Sequence, residues 1–225
     1  MKQILVVAAH PDDEILGLGG TVKKHVNDGD EFYVLILGEG MTSRNDEDKA
    51  DKLKELHEDV YKAANVIGFK KVYLSKFPDN RFDSVDLLDI IHEIERYVDK
   101  LNPEIIYTHH PGDLNIDHKK TFKALITACR PVGDYNVKKI IAFETPSSTE
   151  WNYNYNDNSF KPNYFVDIED TLEAKINAME CYNTEIRDYP HPRSSKALKV
   201  IASRWGTTVG KNYVEAFEII REVKD

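Results

Sequence analysis

Histidine and aspartate side chains occur in two groups, each of which follows a predicted strand. His10, Asp12 and Asp13 come directly after the apolar run 4–9, and the segment 109–118 holds the second group. Imidazole and carboxylate are ligands that suit zinc, and a catalytic zinc site commonly uses three protein ligands and leaves one position for water. Because adjacent aspartates point in different directions, one of the pair can bind a metal while the other accepts a proton.

Each group also has a simpler interpretation when it is taken alone. An Asp-Asp pair before a helix often caps that helix, and His-Pro often only forms a turn. Two groups at equivalent strand ends favour the metal site, because ligands of an open parallel sheet bind outside the carboxyl ends of its strands.

Three nearby glycines also have both a functional and a structural interpretation. Gly17, Gly19 and Gly20 resemble a dinucleotide-binding fingerprint, but their spacing is GxGG and the preceding acidic residues would repel a pyrophosphate. We therefore interpret these glycines as allowing a helix to pack closely on the sheet.

Hydrophobic periodicity predicts strands that alternate with helices. The predicted strands are 4–9, 32–37, 71–74, 105–108 and 139–143, and the predicted helices are 15–26, 49–67, 85–101, 119–129, 171–183 and 195–203. This order predicts an α/β fold, a Rossmann-like three-layer αβα sandwich with a mostly parallel sheet, in which residues 1–225 form a single domain. The polar segment 146–162 lacks periodicity and is interpreted as a surface loop, a disordered insertion or a substrate-facing lid.

Composition excludes several classes of partner. The 225 residues include 30 basic and 39 acidic side chains, a net charge of -9, whereas nucleic acid or an anionic membrane needs clustered Lys and Arg. Cys129 and Cys181 are isolated, so we expect no disulfide framework and a reducing compartment. No signal-peptide pattern is present and no apolar run approaches about 18 residues, so we expect a soluble, cytoplasmic protein with no integral membrane segment.

Two motifs carry a family resemblance. Segment 9–14 (Ala-His-Pro-Asp-Asp-Glu) and segment 113–118 (Asp-Leu-Asn-Ile-Asp-His) look like the two motifs of the PIG-L/LmbE family of zinc-dependent N-deacetylases. Weaker similarity includes segments 37–40, 77–81 and 190–194 and covers most of the chain. The resemblance implies a hydrolase that uses Zn²⁺ or another divalent metal. It also implies removal of the N-acetyl group from a GlcNAc-type amino sugar, free or nucleotide- or lipid-linked, in polysaccharide or glycoconjugate biosynthesis. Homo-oligomers are common in the family.

The resemblance also implies roles for individual residues. The positions that match the family motifs make His10, Asp13 and His118 the metal ligands and Asp12 the general base. Many family members have a histidine three residues before the last ligand, where this chain has Asn115. An asparagine amide can donate a hydrogen bond to a developing oxyanion, but it cannot supply a proton.

The proton for the leaving nitrogen must therefore come from another group at the substrate site. His109, His110 and His191 are candidates, and Asp12 returning the proton that it accepted is the simplest alternative. Asp117 either orients an imidazole or caps the following helix, and the two interpretations look the same in sequence.

Side chains for sugar binding follow from the same resemblance. Arg44 and Asp79 match the arginine and the acidic residue that the family uses for the sugar. Arg193 either binds a phosphate of a nucleotide sugar or is a surface arginine. The aromatic residues of segment 151–155 either stack on a sugar ring or anchor their loop.

Two other functions stay open at this point. One is an amidase that cleaves a larger acyl amide, for instance of a thiol conjugate. The other is a nucleotide-binding module that kept the fold and lost catalysis, against which the complete motif set argues.

Overall fold

The computed structural model describes residues 1–40, 49–133, 136–153 and 158–224. Its helices and strands, in chain order, are β1 Gln3–Ala8, α1 Asp13–Asn27, β2 Glu31–Gly38, α2 Lys49–Ile67, β3 Lys71–Phe77, α3 Leu87–Leu101, β4 Ile105–His109, α4 Ile116–Ala128, β5 Lys139–Phe143, β6 Tyr164–Asp167, α5 Leu172–Glu180, α6 Ser195–Val209 and β7 Val214–Glu222. Two short 3₁₀ helices cover Phe82–Ser84 and Thr149–Asn152.

Within the described residues, seven strands form one sheet in the order β3-β2-β1-β4-β5-β7-β6. Strands β1 to β5 pair in parallel, and β7 runs antiparallel to both β5 and β6. The predicted α/β fold with a mostly parallel sheet is confirmed. The sequence analysis missed β6 and β7, because β6 has only four residues and β7 continues into a half-exposed polar end.

The sheet lies between two helical layers because its central strands have an apolar side chain on each face. In β1, Ile4 and Val6 belong to a core with α1, α2, α5 and α6, whereas Leu5 and Val7 belong to a second core with α3 and α4. Successive side chains of a strand point to opposite faces, so a continuous apolar run is what a strand buried on both faces requires.

Helix α1 packs closely on the sheet, as the glycines predict. A Cβ atom on Gly17 would lie 2.3 Å from the ring of Phe143, and one on Gly20 would lie 2.9 Å from the side chain of Ile168. Real Cβ atoms do not approach carbon this closely, so both positions exclude larger residues. Close packing on the sheet is therefore confirmed for Gly17, whereas Gly20 packs on Ile168, which follows β6, and Gly19 faces Lys175 of α5.

The order of the strands also decides where a ligand can bind. Strand β1 pairs with β2 on one side and with β4 on the other, so the chain reverses its direction of travel across the sheet between β1 and β4. The loops after these two strands diverge and leave a crevice at their carboxyl ends. In the part of the chain that the structure describes, no helix combines the length and apolar character needed to cross a membrane.

Candidate active site

Both predicted groups of histidines and aspartates lie at the β1/β4 crevice. The turn after β1 carries His10, Asp12 and Asp13, and Asp12 has a φ of 93°, a left-handed conformation that aspartate tolerates better than most residues. His118 comes from the first turn of α4, which follows β4. The topology therefore brings together residues that are more than one hundred positions apart.

Three donor atoms converge at the centre of this site. The Nδ1 atom of His10 lies 3.5 Å from Oδ2 of Asp13 and 3.3 Å from Nε2 of His118, and the last two atoms lie 3.4 Å apart. A tetrahedral ion with bonds of about 2.0–2.1 Å holds its ligands about 3.3 Å from each other. The predicted ligand set therefore forms a candidate metal site whose spacing fits zinc.

Asp117 supports His10. Oδ2 of Asp117 accepts a hydrogen bond of 2.9 Å from Nε2 of His10, and its Oδ1 accepts another of 2.9 Å from the backbone N–H of Phe82. Because a carboxylate only accepts, Nε2 carries the proton and Nδ1 is left to face the metal position. The cap of α4 is Asn115, whose side chain accepts from the N–H of Asp117, so the interpretation of Asp117 as the helix cap is wrong.

Asp113 is the ion-pair partner of His118, a role that the sequence analysis did not assign. Oδ1 of Asp113 lies 3.1 Å from Nδ1 of His118, and hydroxyls of Ser148 and Thr149 also donate to this carboxylate. Burial opposes ionisation of Asp113, but the charge of His118 and these hydrogen bonds outweigh it and lower the pKa of Asp113 to about 2. An aspartate five residues before a histidine gives no local pattern that would reveal this contact.

The metal-free site holds protons on both histidines. Burial disfavours the charged imidazoles, but Asp117 and Asp13 raise the pKa of His10 to about 10, and Asp13 and Asp113 raise that of His118 to about 9. Each charged imidazole carries a proton on the nitrogen that faces the metal position. A metal must displace that proton in order to bind.

Zinc binding is therefore expected to release about two protons per ion at pH 7, because both of these pKa values lie above 7. The apparent zinc affinity then rises with pH and levels off near pH 10, where His10 loses its proton without the metal. Calorimetric titration in two buffers of different ionisation enthalpy measures the proton count. A count near zero at pH 7 would contradict the expected protonation of the metal-free site.

An Asp117→Asn variant is expected to bind zinc about 10–100-fold more weakly, because the amide no longer fixes the proton of His10 on Nε2. Competition with a chelator of known affinity measures the change. Asp83→Asn is the matched control, since Asp83 is an exposed carboxylate in the neighbouring 3₁₀ helix. An affinity equal in the two variants would show that Asp117 does not support the metal site.

Asp12 is buried beside the ligand set and is paired with Arg193. The side chain of Asp12 is 2% exposed, and its Oδ2 accepts from Nη1 of Arg193 at 2.8 Å. Burial raises the pKa of Asp12 well above its usual range, and the positive charge of Arg193 opposes that shift. Arg193 also donates to Glu185 at 2.9 Å and to Ser147 Oγ at 2.8 Å. Neither interpretation of Arg193 from sequence, a phosphate-binding residue or a surface arginine, anticipated these contacts.

A cleft of about 290 Å³ opens over these residues. Among the predicted residues, the cleft is lined by His10, Asp12, Asp79, Asn115, His118, His191 and Arg193. Arg44 lies outside the described residues, so its predicted role stays a prediction.

His109 and His110 lie behind the site and do not line the cleft. Nε2 of His109 accepts from the N–H of Ala9 at 2.9 Å, and burial and the charge of His118 lower the pKa of His109 to about 4. His110 is buried, with Nδ1 against Glu218 at 2.8 Å and Nε2 against the backbone of Asn158. The structure therefore does not bring either ring to the position where a substrate would bind.

The fold and the site together define an α/β protein with a candidate three-donor metal site and a buried carboxylate at the crevice of its sheet. Residues 5–129 match the family described as PIG-L: GlcNAc-PI de-N-acetylase. This chain belongs to the PIG-L family, and the resemblance inferred from the two motifs is confirmed.

One curated relative and one solved structure are similar to this chain over most of its length. The chain is 28% identical over 233 residues to the diacetylchitobiose deacetylase of Thermococcus kodakarensis. This alignment covers 98% of this chain and 84% of that protein. The structure of N,N'-diacetylchitobiose deacetylase from Pyrococcus horikoshii aligns with a TM-score of 0.81 and 23% identity, over 98% of this chain and 84% of that one.

Another similar structure belongs to an enzyme that is named for a reaction other than deacetylation. GalB, the 4-carboxy-2-hydroxymuconate hydratase from Pseudomonas putida KT2440, aligns with a TM-score of 0.74 and 21% identity, over 100% of this chain and 99% of that one. Because the fold is shared by a hydratase, the fold alone does not decide the reaction. The site must carry the functional argument.

Proposed function

We propose that this chain is a zinc-dependent hydrolase that removes the N-acetyl group from a GlcNAc-type amino sugar or sugar conjugate and releases acetate. The observation that carries the proposal is the set of three donor atoms, 3.3–3.5 Å apart, beside the buried carboxylate of Asp12 in an open cleft. Membership of the PIG-L family and the deacetylase relatives support the substrate class.

In this proposal His10, Asp13 and His118 hold the zinc. Two imidazoles and one carboxylate are a donor set that zinc uses in catalytic sites with an open coordination position. When bound there, zinc lowers the pKa of water and polarises the acetamide carbonyl. Asp117 and Asp113 keep the two imidazoles in the orientation that the ion needs.

Asp12 acts as the general base. It accepts the proton of the attacking water, and Arg193 fixes the carboxylate by binding Oδ2. Asp12 then hands the proton to the departing nitrogen. This return is favoured because the rings of His109 and His110 are buried behind the site, which leaves His191 as the alternative donor among the predicted histidines.

Asn115 and Asp79 orient the substrate. The side-chain amide of Asn115 donates one N–H to Oδ1 of Asn80 at 3.0 Å, and its second N–H can donate to a developing oxyanion. Asp79 lines the cleft, where its carboxylate can accept from sugar hydroxyls. Arg44 completes the sugar site that the family resemblance implies.

Acetate release tests the proposal. Purified protein is assayed with N-acetylglucosamine, N,N'-diacetylchitobiose and a nucleotide-linked N-acetyl sugar, beside longer acyl amides and an acylated thiol conjugate. We expect hydrolysis of the acetamides, loss of activity after chelation, and recovery when zinc is added back. Hydrolysis of the longer acyl amides alone would instead support the amidase. A protein that binds no divalent metal, or that binds it and hydrolyses none of these amides, would contradict the proposal.

The proposed location is the cytoplasm. Within the described residues neither Cys129 nor Cys181 forms a disulfide, and Cys129 is fully buried. Cysteines that form no disulfide are typical of a reducing compartment.

A further inference from the structure

The first motif contains a buried carboxylate that has no part in the proposed chemistry. Glu14, the last residue of segment 9–14, is only 2% exposed and lies two positions after the base Asp12. Burying a carboxylate costs free energy unless hydrogen bonds satisfy its oxygens. The hydrogen bonds of Glu14 therefore identify what this side chain stabilises.

Both oxygens of Glu14 accept hydrogen bonds. Oε2 accepts from the backbone N–H of Asp12 at 3.1 Å, and Oε1 accepts from the hydroxyl of Tyr182, which is fully buried. Burial and the negative charge of Glu14 hold the pKa of Tyr182 well above its usual range, so the phenol stays protonated and donates. Tyr182 therefore fixes Glu14, and Glu14 fixes the backbone of Asp12.

The contact between Glu14 and Asp12 changes how helix α1 is capped. Asp12 directly precedes α1, a position from which an aspartate side chain usually accepts from a helix N–H. Within the described residues, the Asp12 side chain makes no such bond, and its Oδ2 binds Arg193 instead. Glu14 makes the reverse contact, from a helix side chain to the N–H before the helix, as in one half of a capping box. The carboxylate of Asp12 is therefore free to line the cleft.

The backbone of Asp12 needs this support. Its φ of 93° lies in the left-handed region, where a residue other than glycine is strained and stays only if the surrounding contacts hold it. Glu14 binds the N–H of this residue, and Arg193 binds its carboxylate. Both the backbone and the side chain of the base are therefore fixed.

Tyr182 also connects these two supports. Its backbone carbonyl accepts from the N–H of Glu185 at 3.0 Å, and the Glu185 carboxylate accepts from Arg193 at 2.9 Å. The hydrogen bonds therefore form a closed ring of five residues, in the order Asp12, Glu14, Tyr182, Glu185 and Arg193. A displacement of Tyr182 would affect the base through both of its supports.

We propose that Glu14 and Tyr182 are positioning residues for the general base, and that they hold the backbone of Asp12 in the conformation that directs its carboxylate into the cleft. Neither of these two side chains lines the cleft, so both act through Asp12 and not on the substrate. This inference rests on the proposed deacetylase function, because it assigns a role in proton transfer.

Tyr182→Phe removes the hydroxyl and keeps the ring. We expect kcat to fall about tenfold, the size of one hydrogen bond to a charged group, while KM and zinc content stay unchanged, because only the chemical step needs the base. Tyr61→Phe is the matched control, since Tyr61 is an exposed tyrosine in helix α2. An unchanged kcat, a rise in KM alone or a loss of zinc in Tyr182→Phe would overturn the inference.

Two substitutions of Glu14 separate its hydrogen bonds from its charge. Glu14→Gln keeps an oxygen for the N–H of Asp12 and has an amide N–H that can donate to the Tyr182 oxygen, whereas Glu14→Ala keeps neither contact. We expect Glu14→Gln to keep kcat within about threefold and Glu14→Ala to lose at least about tenfold. If Glu14→Ala does not fold, Glu14→Gln is compared with Tyr182→Phe and should be the faster enzyme. An equal loss in the two variants compared would overturn the positioning role.

Amide hydrogen exchange separates this inference from the proposed function. Exchange of the Asp12 N–H, followed by NMR in the zinc-loaded protein, does not depend on deacetylation. We expect exchange about tenfold faster in Tyr182→Phe than in the unsubstituted protein, because the acceptor Glu14 is then held less firmly. Faster exchange in a chain that hydrolyses no acetamide would reject the hydrolase and leave the support of the Asp12 backbone established. An active hydrolase in which Tyr182→Phe changes neither the exchange nor kcat would reject the positioning role alone.

Discussion

A His118→Ala variant is expected to hold no stoichiometric zinc and to lose about a thousandfold or more of kcat/KM. His118 provides one of three donor atoms, which lie 3.3–3.5 Å apart, and two donors bind an ion far more weakly than three. The metal contributes several kcal/mol of transition-state stabilisation, and each 1.36 kcal/mol corresponds to tenfold in rate. Metal analysis after gel filtration and acetate release from an N-acetyl sugar measure both effects.

The control for His118→Ala is His92→Ala, since His92 is exposed on helix α3, away from the cleft. Circular dichroism shows whether each variant is folded. A folded His118→Ala protein that keeps one zinc per chain would contradict the assignment of His118 as a ligand. Full activity in a zinc-free variant would reject the metal-dependent hydrolase itself.

Asp12→Asn is expected to keep its zinc and to lose about 10²–10⁴ of kcat, the usual contribution of a general base. An amide cannot accept the proton of the attacking water. Asparagine is chosen because Asp12 has a φ of 93°, and asparagine tolerates the left-handed region. The shape of the turn, and with it the positions of His10 and Asp13, should therefore persist.

Zinc content and kcat are compared with those of Asp99→Asn, a substitution of an exposed aspartate in helix α3. Loss of zinc from Asp12→Asn would place Asp12 among the ligands. Zinc content and kcat equal to those of the unsubstituted protein would reject Asp12 as the base. His191 would then be the next residue to test for proton transfer. Together with the result for His118, the Asp12 variant separates metal binding from proton transfer.

Most of the parallel part of the fold could be predicted from the sequence because periodicity is a local signal. The runs that became β1, β2, β4 and β5 are apolar on both faces, as buried parallel strands must be. The end of the sheet was not predictable in the same way. Strand β7 pairs antiparallel with β5, a contact between distant segments that a local pattern does not encode.

Segment 146–162 shows the same limit within the site. It lacks periodicity and is interpreted from sequence as a surface loop, an insertion or a lid. In the structure, Ser148 and Thr149 are buried and donate to Asp113, the ion-pair partner of His118, so this part of the segment lies behind the candidate metal site. Polar composition alone cannot distinguish side chains that face water from side chains that bind a buried carboxylate.

The sequence by itself predicted that the two motifs meet at one edge of the sheet, because each follows a strand and the carboxyl ends of parallel strands share an edge. The family resemblance implied His10, Asp13 and His118 as the metal ligands, and the pairing of β1 with β4 brings their donor atoms together.

Only the tertiary structure decided which group supports each of these residues. Asp117 binds His10 at a separation of 107 residues, and Arg193 binds Asp12 at a separation of 181. Such partners depend on side-chain packing between segments that are distant in the chain, for which spacing and periodicity carry no signal.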